Sequence, residues 1–168
     1  MRLSDVELHA IARGLGADVA FFLEGGTALG VERGDLLFPL QDASPAWVVL
    51  VRPDFGVSTK DAYTWWDEAF ERAGRQVPVG LGHAGEWVND LQAPVVARHP
   101  RIGRLIRKLE RSGARFAAMS GSGSAMFGLF DCRATAVAAA AALAGPTVQT
   151  WTTRTLDRRN YQRFVTPR

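Results

Sequence analysis

The sequence predicts an α+β fold, and two observations carry this prediction. From Trp47 onward, strand and helix patterns follow one another in the order strand, helix, helical insert, strand, strand, helix, strand. That order is the split βαβ arrangement of a ferredoxin-like sandwich. The composition is that of a globular chain with a core, since 47% of the 168 residues are hydrophobic and 22% are charged.

The first segment of the chain predicts a helix and a hairpin. Ser4 and Glu7 form a capping-box pair ahead of an apolar helical repeat, so we expect a helix that ends near Gly14 or Gly16. The stretch 27–40, TALGVERGDLLFPL, predicts two short strands joined at residues 33–35. These elements are too few to bury their own apolar surface. We therefore expect residues 1–44 to be the end of one domain and residues 45–168 to form another.

The predicted second domain begins with a buried strand, AWVVLVRP, which Pro53 closes. Ser58 or Thr59 caps the helix that follows, KDAYTWWDEAFERAG. A loop, RQVPVGLGHAG, separates this helix from helical signals that run through Asn89 and resume over residues 100–112. These segments supply the first strand, the first helix and the helical insert of the predicted sandwich.

The rest of the domain is predicted from shorter patterns. The segments RFAAM and AMFGLF predict a strand pair around a serine–glycine turn. Asp131 can cap an alanine-rich helix that runs to Leu143. The segment TVQTWTT then supplies the last strand.

Composition and charge exclude several classes of protein. No apolar run reaches the roughly 20 residues that span a bilayer, and the start MRLSDVELHA lacks the apolar core of a signal peptide. We therefore expect a cytoplasmic protein without a membrane partner. Cys132 is the only cysteine, which excludes an internal disulfide. The net charge is +3, but no aromatic residues interleave with the basic helical face over 101–111, so we expect no nucleic-acid partner.

Three tempting patterns are discounted. The stretch GLGHAG at 80–85 has the glycine spacing of a dinucleotide site, but it follows QVPV and no βαβ unit surrounds it. The RGD tripeptide at 33–35 is explained by a hairpin turn. His9, His83 and His99 fall in different predicted elements, so we expect no metal site from them.

The serine–glycine turn over residues 120–124 has two interpretations. Glycines let a backbone approach a phosphate closely, while consecutive amide N–H groups and serine hydroxyls supply donors. The same residues also suit a hairpin tip whose serines are hydrated. The residues of the turn alone leave both interpretations open.

Four segments, taken together, resemble a known family. They are LGADVAFFLEGGTALGVERGD (15–35), FGVSTKDAY (55–63), NDLQAPV (89–95) and MSGSGSAMFGLF (119–130). In order and spacing they are similar to the carboxy-terminal part of the GHMP kinases that phosphorylate 4-diphosphocytidyl-2-C-methyl-D-erythritol. The resemblance implies a ferredoxin-like GHMP kinase carboxy-terminal domain. It also implies that residues 1–44 are a remnant of the family's amino-terminal, ribosomal S5 domain 2-like domain.

The resemblance implies a reaction as well. In this group of kinases ATP, with Mg²⁺, phosphorylates the 2-hydroxyl of the cytidyl-diphosphate methylerythritol substrate, on the non-mevalonate route to isoprenoid precursors. Asp18 matches the family's catalytic aspartate, which accepts the hydroxyl proton or orients the hydroxyl. One positioned carboxylate is consistent with phosphoryl transfer, which demands little covalent chemistry from the protein. We expect this carboxylate to lie where a strand leaves the core.

Further site residues follow from the same resemblance. Tyr63 matches the aromatic position that stacks on the cytosine, and Ser58 and Thr59 match the loop that lines that pocket. The serine–glycine turn matches the family's third motif, which lies near the phosphates and braces the main nucleotide loop. The residues assigned to this phosphate-loop support are Gly121, Ser122, Gly123 and Ser124.

The sequence also departs from the family's pattern. The family's first motif with its catalytic lysine and its second, glycine-rich ATP motif are not found in these 168 residues, and the two lysines, Lys60 and Lys108, match neither. We therefore expect the isolated chain to lack kinase turnover. Apolar residues in AFFL (20–23) and LLFPL (36–40) are expected to be exposed, which predicts self-association.

Two alternatives stay open at this stage. The chain could be part of a different GHMP small-molecule kinase, and substrate preference would distinguish that kinase from the one described above. It could also be a non-catalytic ferredoxin-like binding module that uses the basic face over 101–111. Binding that weakens with salt would distinguish the latter.

Overall fold

A computed structural model of the chain describes residues 3–72 and 88–165. The chain divides into two compact units. One comprises the residues up to Pro45 together with those from Thr155 onward, and the other is Ala46–Arg154. The expected loop over 75–85, with its GLGHAG stretch and His83, lies outside the described residues.

The first unit contains the predicted helix and hairpin. Its elements are α1 (Asp5–Leu15), α2 (Phe21–Glu24), β1 (Ala28–Val31) and β2 (Leu36–Pro39). The capping box of α1 is present, because the Ser4 N–H donates to the Glu7 carboxylate at 2.8 Å and the Glu7 N–H donates to the Ser4 hydroxyl at 3.4 Å. Strands β1 and β2 are antiparallel, as expected.

The RGD tripeptide is accounted for by this hairpin. Asp35 has a fully buried carboxylate that accepts hydrogen bonds from Arg33 at 2.7 Å and from Arg13 at 3.3 Å. The hydrogen bond from Arg33 is the main cause that holds the pKa of Asp35 below its usual range. Gly34, at φ +86°, occupies the left-handed conformation that the tight connection requires. The tripeptide is therefore a structural corner.

A helix that the sequence did not predict completes the first unit. Helix α7 (Arg158–Val165) joins residues 3–45 through Asp42, whose two carboxylate oxygens accept the backbone N–H groups of Thr27 and Arg158, both at 2.8 Å. The Arg158 guanidinium in turn donates to the carbonyl of Thr27 at 2.7 Å. The division of the chain falls between Pro45 and Ala46, and the residues from Thr155 onward, which were expected in the second domain, group with the first unit.

The second unit contains the predicted sandwich. Its elements are β3 (Trp47–Pro53), α3 (Thr59–Arg72), α4 (Gln92–Arg98), α5 (Pro100–Arg111), β4 (Phe116–Met119), β5 (Met126–Phe130), α6 (Arg133–Leu143) and β6 (Val148–Arg154). The sheet order is β4-β5-β3-β6, and every neighbouring pair is antiparallel. This topology confirms the ferredoxin-like order predicted from the sequence.

One face of this sheet carries the core. Val49 and Val51 of β3 and Phe130 of β5 are fully buried against the helices, and α5 contributes Ile102 and Leu109. Gly128 in β5 lets α5 approach the sheet, since a Cβ there would lie 3.1 Å from the Leu109 side chain. On the opposite face, Val48 and Leu129 form a smaller buried cluster with Phe116 and Phe127. The core holds the ends of β4 and β5 in fixed register.

The predicted capping of α6 by Asp131 is wrong. The N-cap residue is Cys132, and its side chain makes no capping hydrogen bond to the helix. The Asp131 carboxylate instead lies 3.4 Å from the Arg115 guanidinium. The Cys132 thiol is 2.9 Å from the Thr135 hydroxyl, and this hydrogen bond is the main cause that lowers the pKa of Cys132. The helix forms regardless, because its alanines have high helix propensity and Ala136, Ala139 and Ala140 are buried.

Acid should loosen the anchor of α7. The backbone N–H groups of Arg158 and Thr27 lower the pKa of Asp42, with that of Arg158 the larger cause, so the ionised carboxylate stabilises the fold above the unfolded-state pKa of about 3.9 and loses this effect as the pH falls through the lower, folded value. We expect Asp42→Asn to speed amide hydrogen exchange at Thr27 and Arg158 at pH 7 and to resemble the wild-type chain at low pH.

The control is Glu32→Gln, which removes an exposed carboxylate 3.6 Å from Arg13. Exposed pairs contribute little, so exchange at Thr27 and Arg158 should stay close to that of the wild type at every pH. Equal exchange in the wild type and Asp42→Asn at pH 7 would refute the anchoring role of Asp42.

Candidate functional site

The serine–glycine turn connects β4 to β5 at one end of the sheet. Its backbone closes through two hydrogen bonds, from the Ser120 N–H to the Ala125 carbonyl at 2.9 Å and from the Gly123 N–H to the Ser120 carbonyl at 3.0 Å. Gly123 has φ +87°, and a Cβ at this position would lie 2.8 Å from the Met119 sulfur. Both conformation and space therefore require glycine at position 123.

Two amides of the turn are left as unused donors. Within the described part of the chain, no acceptor lies at hydrogen-bond distance from the N–H of Gly121 or of Ser122. Gly121 has φ +54°, and a Cβ at this position would have no atom within 4 Å. Consecutive unpaired N–H groups form an anion-binding concavity when they converge. The turn thus has the donors that a phosphate needs.

The serine hydroxyls of the turn are used within the protein. The Ser122 hydroxyl lies 2.9 Å from the Thr59 hydroxyl, and the buried Ser124 hydroxyl donates to the Phe55 carbonyl. The turn is therefore attached through both side chains to the segment 55–59, which leads into α3. Side-chain hydrogen bonds thus connect the turn directly to the segment that carries the predicted substrate residues.

Helix α3 begins where the sequence predicted, and the structure decides between its two candidate caps. The Ser58 hydroxyl accepts a hydrogen bond from the Asp61 N–H at 3.3 Å, so Ser58 is the cap. Thr59 is the first residue of the helix, and Tyr63 lies one turn further along the same face. The Tyr63 side chain is 56% exposed. An aromatic face is thereby presented close to the start of a helix that is attached to the turn.

An open cleft of about 700 Å³ connects Tyr63 with the turn. Its aromatic lining comes from Tyr63 and Trp66 of α3 and from Phe116 and Phe127 of the sheet. Ser120 and Gly121 line the same cleft. In the second unit, therefore, these four aromatic side chains and two residues of the serine–glycine turn line one cleft.

Segment 88–92, for which no site residue was predicted, contacts the end of β4 and the serine–glycine turn. The Asn89 side chain donates to the carbonyls of Met119 at 2.9 Å and of Gly121 at 2.8 Å. The Gln92 side chain accepts the Met119 N–H at 2.8 Å. The amide-bearing pattern N-x-x-Q just before a helix was the only signal available in the sequence.

Asp18 belongs to the first unit, apart from the other candidate residues, all of which belong to the second. It is exposed in the turn between α1 and α2, where the Val19 N–H donates to the Gly16 carbonyl at 3.2 Å. The expectation that it lies where a strand leaves the core is wrong. The segment after Asp18 forms the short helix α2, with the neighbouring Ala20 buried.

Comparison with known proteins identifies the family. The family described as GHMP kinases C terminal matches residues 68–148. A solved structure of a 4-(cytidine 5'-diphospho)-2C-methyl-D-erythritol kinase superposes with a TM-score of 0.68 and 32% sequence identity, over 88% of this chain and 56% of that chain. The chain belongs to the GHMP kinases.

Two curated relatives both carry the name 4-diphosphocytidyl-2-C-methyl-D-erythritol kinase. The protein of Anaeromyxobacter dehalogenans strain 2CP-C is 44% identical over 146 residues, which are 82% of this chain and 46% of the relative. The protein of Deinococcus radiodurans is 40% identical over 154 residues, which are 88% and 52% of the two chains. This chain thus spans about half the length of the curated relatives that it matches.

The histidines of this GHMP kinase chain have structural contacts where they are described. His9 lies 3.0 Å from the Glu24 carboxylate, and the His99 ring stacks on Phe55 with centroids 5.3 Å apart. Over residues 3–72 and 88–165, no three His, Cys, Asp or Glu side chains come together in a group that could hold a metal ion. In the same ranges no helix has the length and apolarity needed to cross a membrane.

The basic face of α5 is partly engaged in contacts within the second unit. Arg101 donates to the Asp54 carboxylate at 2.6 Å and to the Thr147 carbonyl at 3.0 Å, and Lys108 donates to the Ala142 carbonyl. These two side chains attach the helix to neighbouring segments. The binding-module alternative relied on this face, and the contacts of Arg101 and Lys108 give those two residues a structural role.

Removal of the Ser124 hydroxyl should destabilise the second unit. Ser124→Ala leaves the Phe55 carbonyl without its donor, so we expect the free energy of unfolding to fall by about 1–2 kcal/mol. Urea denaturation followed by tryptophan fluorescence measures this change. Ser120→Ala is the matched control, because the Ser120 side chain is exposed, and it should change the free energy by about 0.5 kcal/mol or less. Equal effects of the two substitutions would contradict the anchoring role of Ser124.

Proposed function

We propose that this chain is part of a kinase that transfers the γ-phosphoryl group of ATP to the 2-hydroxyl of 4-diphosphocytidyl-2-C-methyl-D-erythritol. The observation that carries the proposal is the single cleft that joins Tyr63 to the serine–glycine turn. A cytidine diphosphate ester needs an aromatic surface for its base and donors for its phosphates, and the cleft has aromatic side chains beside Ser120 and Gly121 of the turn. The names of the two curated relatives support the same substrate.

In this proposal the cytosine stacks on Tyr63. Stacking of a base on an aromatic side chain contributes about 1–3 kcal/mol, and an exposed ring on a capped helix is available for it without rearrangement. Ser58 fixes the start of the helix, and Thr59 fixes its attachment to the turn. These two residues thereby shape the subsite even though their hydroxyls are engaged within the protein.

The turn contributes backbone donors to a phosphate of the bound nucleotide. In the described part of the chain the N–H groups of Gly121 and Ser122 have no hydrogen-bond partner, whereas the hydroxyls of Ser122 and Ser124 are already hydrogen-bonded. Gly123 is required for the turn itself. We therefore divide the phosphate-loop support, which the family resemblance implies for this turn, between two amides available to the ligand and two side chains that hold the turn.

Asp18 is proposed to accept or orient the proton of the substrate hydroxyl. The hydroxyl oxygen forms a bond to the γ-phosphorus, the bond from that phosphorus to the bridging oxygen of ADP breaks, and the hydroxyl proton passes to the carboxylate. ATP supplies the phosphoryl group when it is bound. Mg²⁺ commonly binds through one or two carboxylates plus substrate phosphates, and we assign it no ligand among the described residues.

Two further expectations belong to the same proposal. The cytoplasmic location stays a prediction. Self-association also stays a prediction, and it is supported by the exposure of apolar side chains in the first unit, among them Phe22 and Phe38.

The activity test compares the phosphorylation activity of the 168-residue chain with that of a longer protein. The purified 168-residue chain should show no ATP-dependent phosphorylation of the cytidyl substrate, because its sequence contains no glycine-rich ATP motif of the family and neither of its two lysines matches the catalytic one. A protein extended at its amino-terminal side to the length of the relatives should be active. In that protein Asp18→Asn should lower kcat by about 10²–10⁴-fold.

Asp5→Asn is the control for this test, because Asp5 lies in the first turn of α1 and has no assigned role in the site. Turnover by the 168-residue chain would refute the expected inactivity. A preference of the extended protein for mevalonate or homoserine would refute the cytidyl substrate.

Cytidine recognition can be tested on the 168-residue chain itself. Tyr63→Ala should weaken binding of cytidine monophosphate by about 5- to 150-fold, which corresponds to the loss of one stacked base, while Tyr63→Phe should preserve it. Titration followed by NMR measures the affinity. Trp151→Ala removes an exposed aromatic side chain that does not line the cleft and should bind as the wild type does. Unchanged binding by Tyr63→Ala would exclude the stacking role.

A further inference from the structure

Backbone groups at the end of strand β4 take their hydrogen-bond partners from residues that are distant in sequence. Within the described residues β4 is an edge strand of the sheet, so no strand in that part of the chain pairs with the backbone groups that face away from β5. At Met119, the last residue of β4, both groups are satisfied by side chains. The Met119 N–H donates to the Gln92 side-chain oxygen at 2.8 Å, and the Met119 carbonyl accepts from the Asn89 side-chain nitrogen at 2.9 Å. Two amide side chains thus take the place of a neighbouring strand.

Asn89 does more than complete the edge of the sheet. The same side-chain nitrogen donates a second hydrogen bond to the Gly121 carbonyl at 2.8 Å, which lies inside the turn. Its side-chain oxygen accepts the Leu91 N–H at 3.1 Å, which fixes the amide in the orientation that points both hydrogens at the two carbonyls. Every hydrogen of this side-chain amide is therefore used to hold the end of β4 and the turn together.

The hydrogen bond from Asn89 to the Gly121 carbonyl affects the direction of the next N–H group in the turn. The carbonyl of Gly121 and the N–H of Ser122 belong to one planar peptide unit, and in a trans unit these two groups point in opposite directions. The peptide between Gly121 and Ser122 is not among the cis bonds of the described residues. When Asn89 holds the Gly121 carbonyl, it aims the Ser122 N–H away from itself. That N–H is one of the two unpaired amides of the turn.

We infer that Asn89 is a positioning residue that orients the Ser122 amide toward a phosphate group of the bound nucleotide. The inference rests on the proposed function for the identity of the anion, but the orientation itself is a property of the free protein. Gln92 provides the comparison. It bonds to Met119 at the strand and makes no hydrogen bond to the turn in the described structure, so it shares the edge-completing role without the orienting one.

The orientation can be measured without any ligand. Residual dipolar couplings report the direction of the Ser122 N–H bond in the isotopically labelled 168-residue chain. Asn89→Ala removes both donors and should change the coupling of Ser122, while Gln92→Ala should leave it close to the wild-type value even if it destabilises the strand end comparably. An unchanged Ser122 coupling in Asn89→Ala overturns the inference, and so does an equal change in Gln92→Ala.

A second measurement tests the consequence for binding, with inorganic pyrophosphate as the probe. In the wild-type chain the amide signals of Gly121 and Ser122 should shift on titration. Asn89→Ala should weaken pyrophosphate binding about tenfold, the effect of one misdirected donor, and Gln92→Ala should change it by less than about threefold. Wild-type affinity in Asn89→Ala overturns the inference that this residue serves phosphate binding.

The two measurements distinguish failure of the inference from failure of the proposed function. If the wild-type turn does not respond to pyrophosphate, the phosphate role that the proposed function gives the turn is refuted, together with the purpose inferred for Asn89. If the wild-type turn responds but Asn89→Ala keeps both its Ser122 coupling and its affinity, only the role of Asn89 is refuted.

Discussion

The backbone groups at the exposed edge of β4 set the central constraint of the second unit. Among the described residues no strand pairs with this edge, so its N–H and C=O groups need other partners. Asn89 and Gln92, just before and at the start of α4, supply them, and Phe55 and Thr59, just before and at the start of α3, hold the turn. Three segments that are distant in sequence are thereby fixed to one another by side-chain hydrogen bonds.

This arrangement depends in turn on the core beneath it. The end of β4 stays in place because Met119 and Met126, which pair across β4 and β5, are both buried under α5. Helix α5 can pack closely because Gly128 leaves room for Leu109. The rigid parts of the fold are the apolar ones, and the site is a polar extension of their ends. This is why an open cleft can keep a defined aromatic wall and a defined turn.

The sequence predicted the elements better than the contacts between them. The order of strands and helices in the second unit follows from apolar periodicity, and the turn follows from its glycines, because both signals are local. Helix α7 was missed because it is only eight residues long and rich in arginine, and its position depends on the distant Asp42. The role of Asn89 was missed for the same reason, since an amide side chain reveals nothing about which carbonyls it will meet. The expected position of Asp18 failed because a four-residue helix was taken for the exit of a strand.

The division of labour within the turn explains why serines accompany its glycines. A turn made of glycine alone would expose the same amides but would leave them free to adopt many directions, at a large cost in conformational entropy on binding. Hydroxyls that bind their own protein remove that freedom, and Ser122 and Ser124 do so at two successive points. Asn89 holds the Gly121 carbonyl of the same turn. The anion would then meet donors whose directions were set during folding, which is the condition under which backbone amides bind phosphate well.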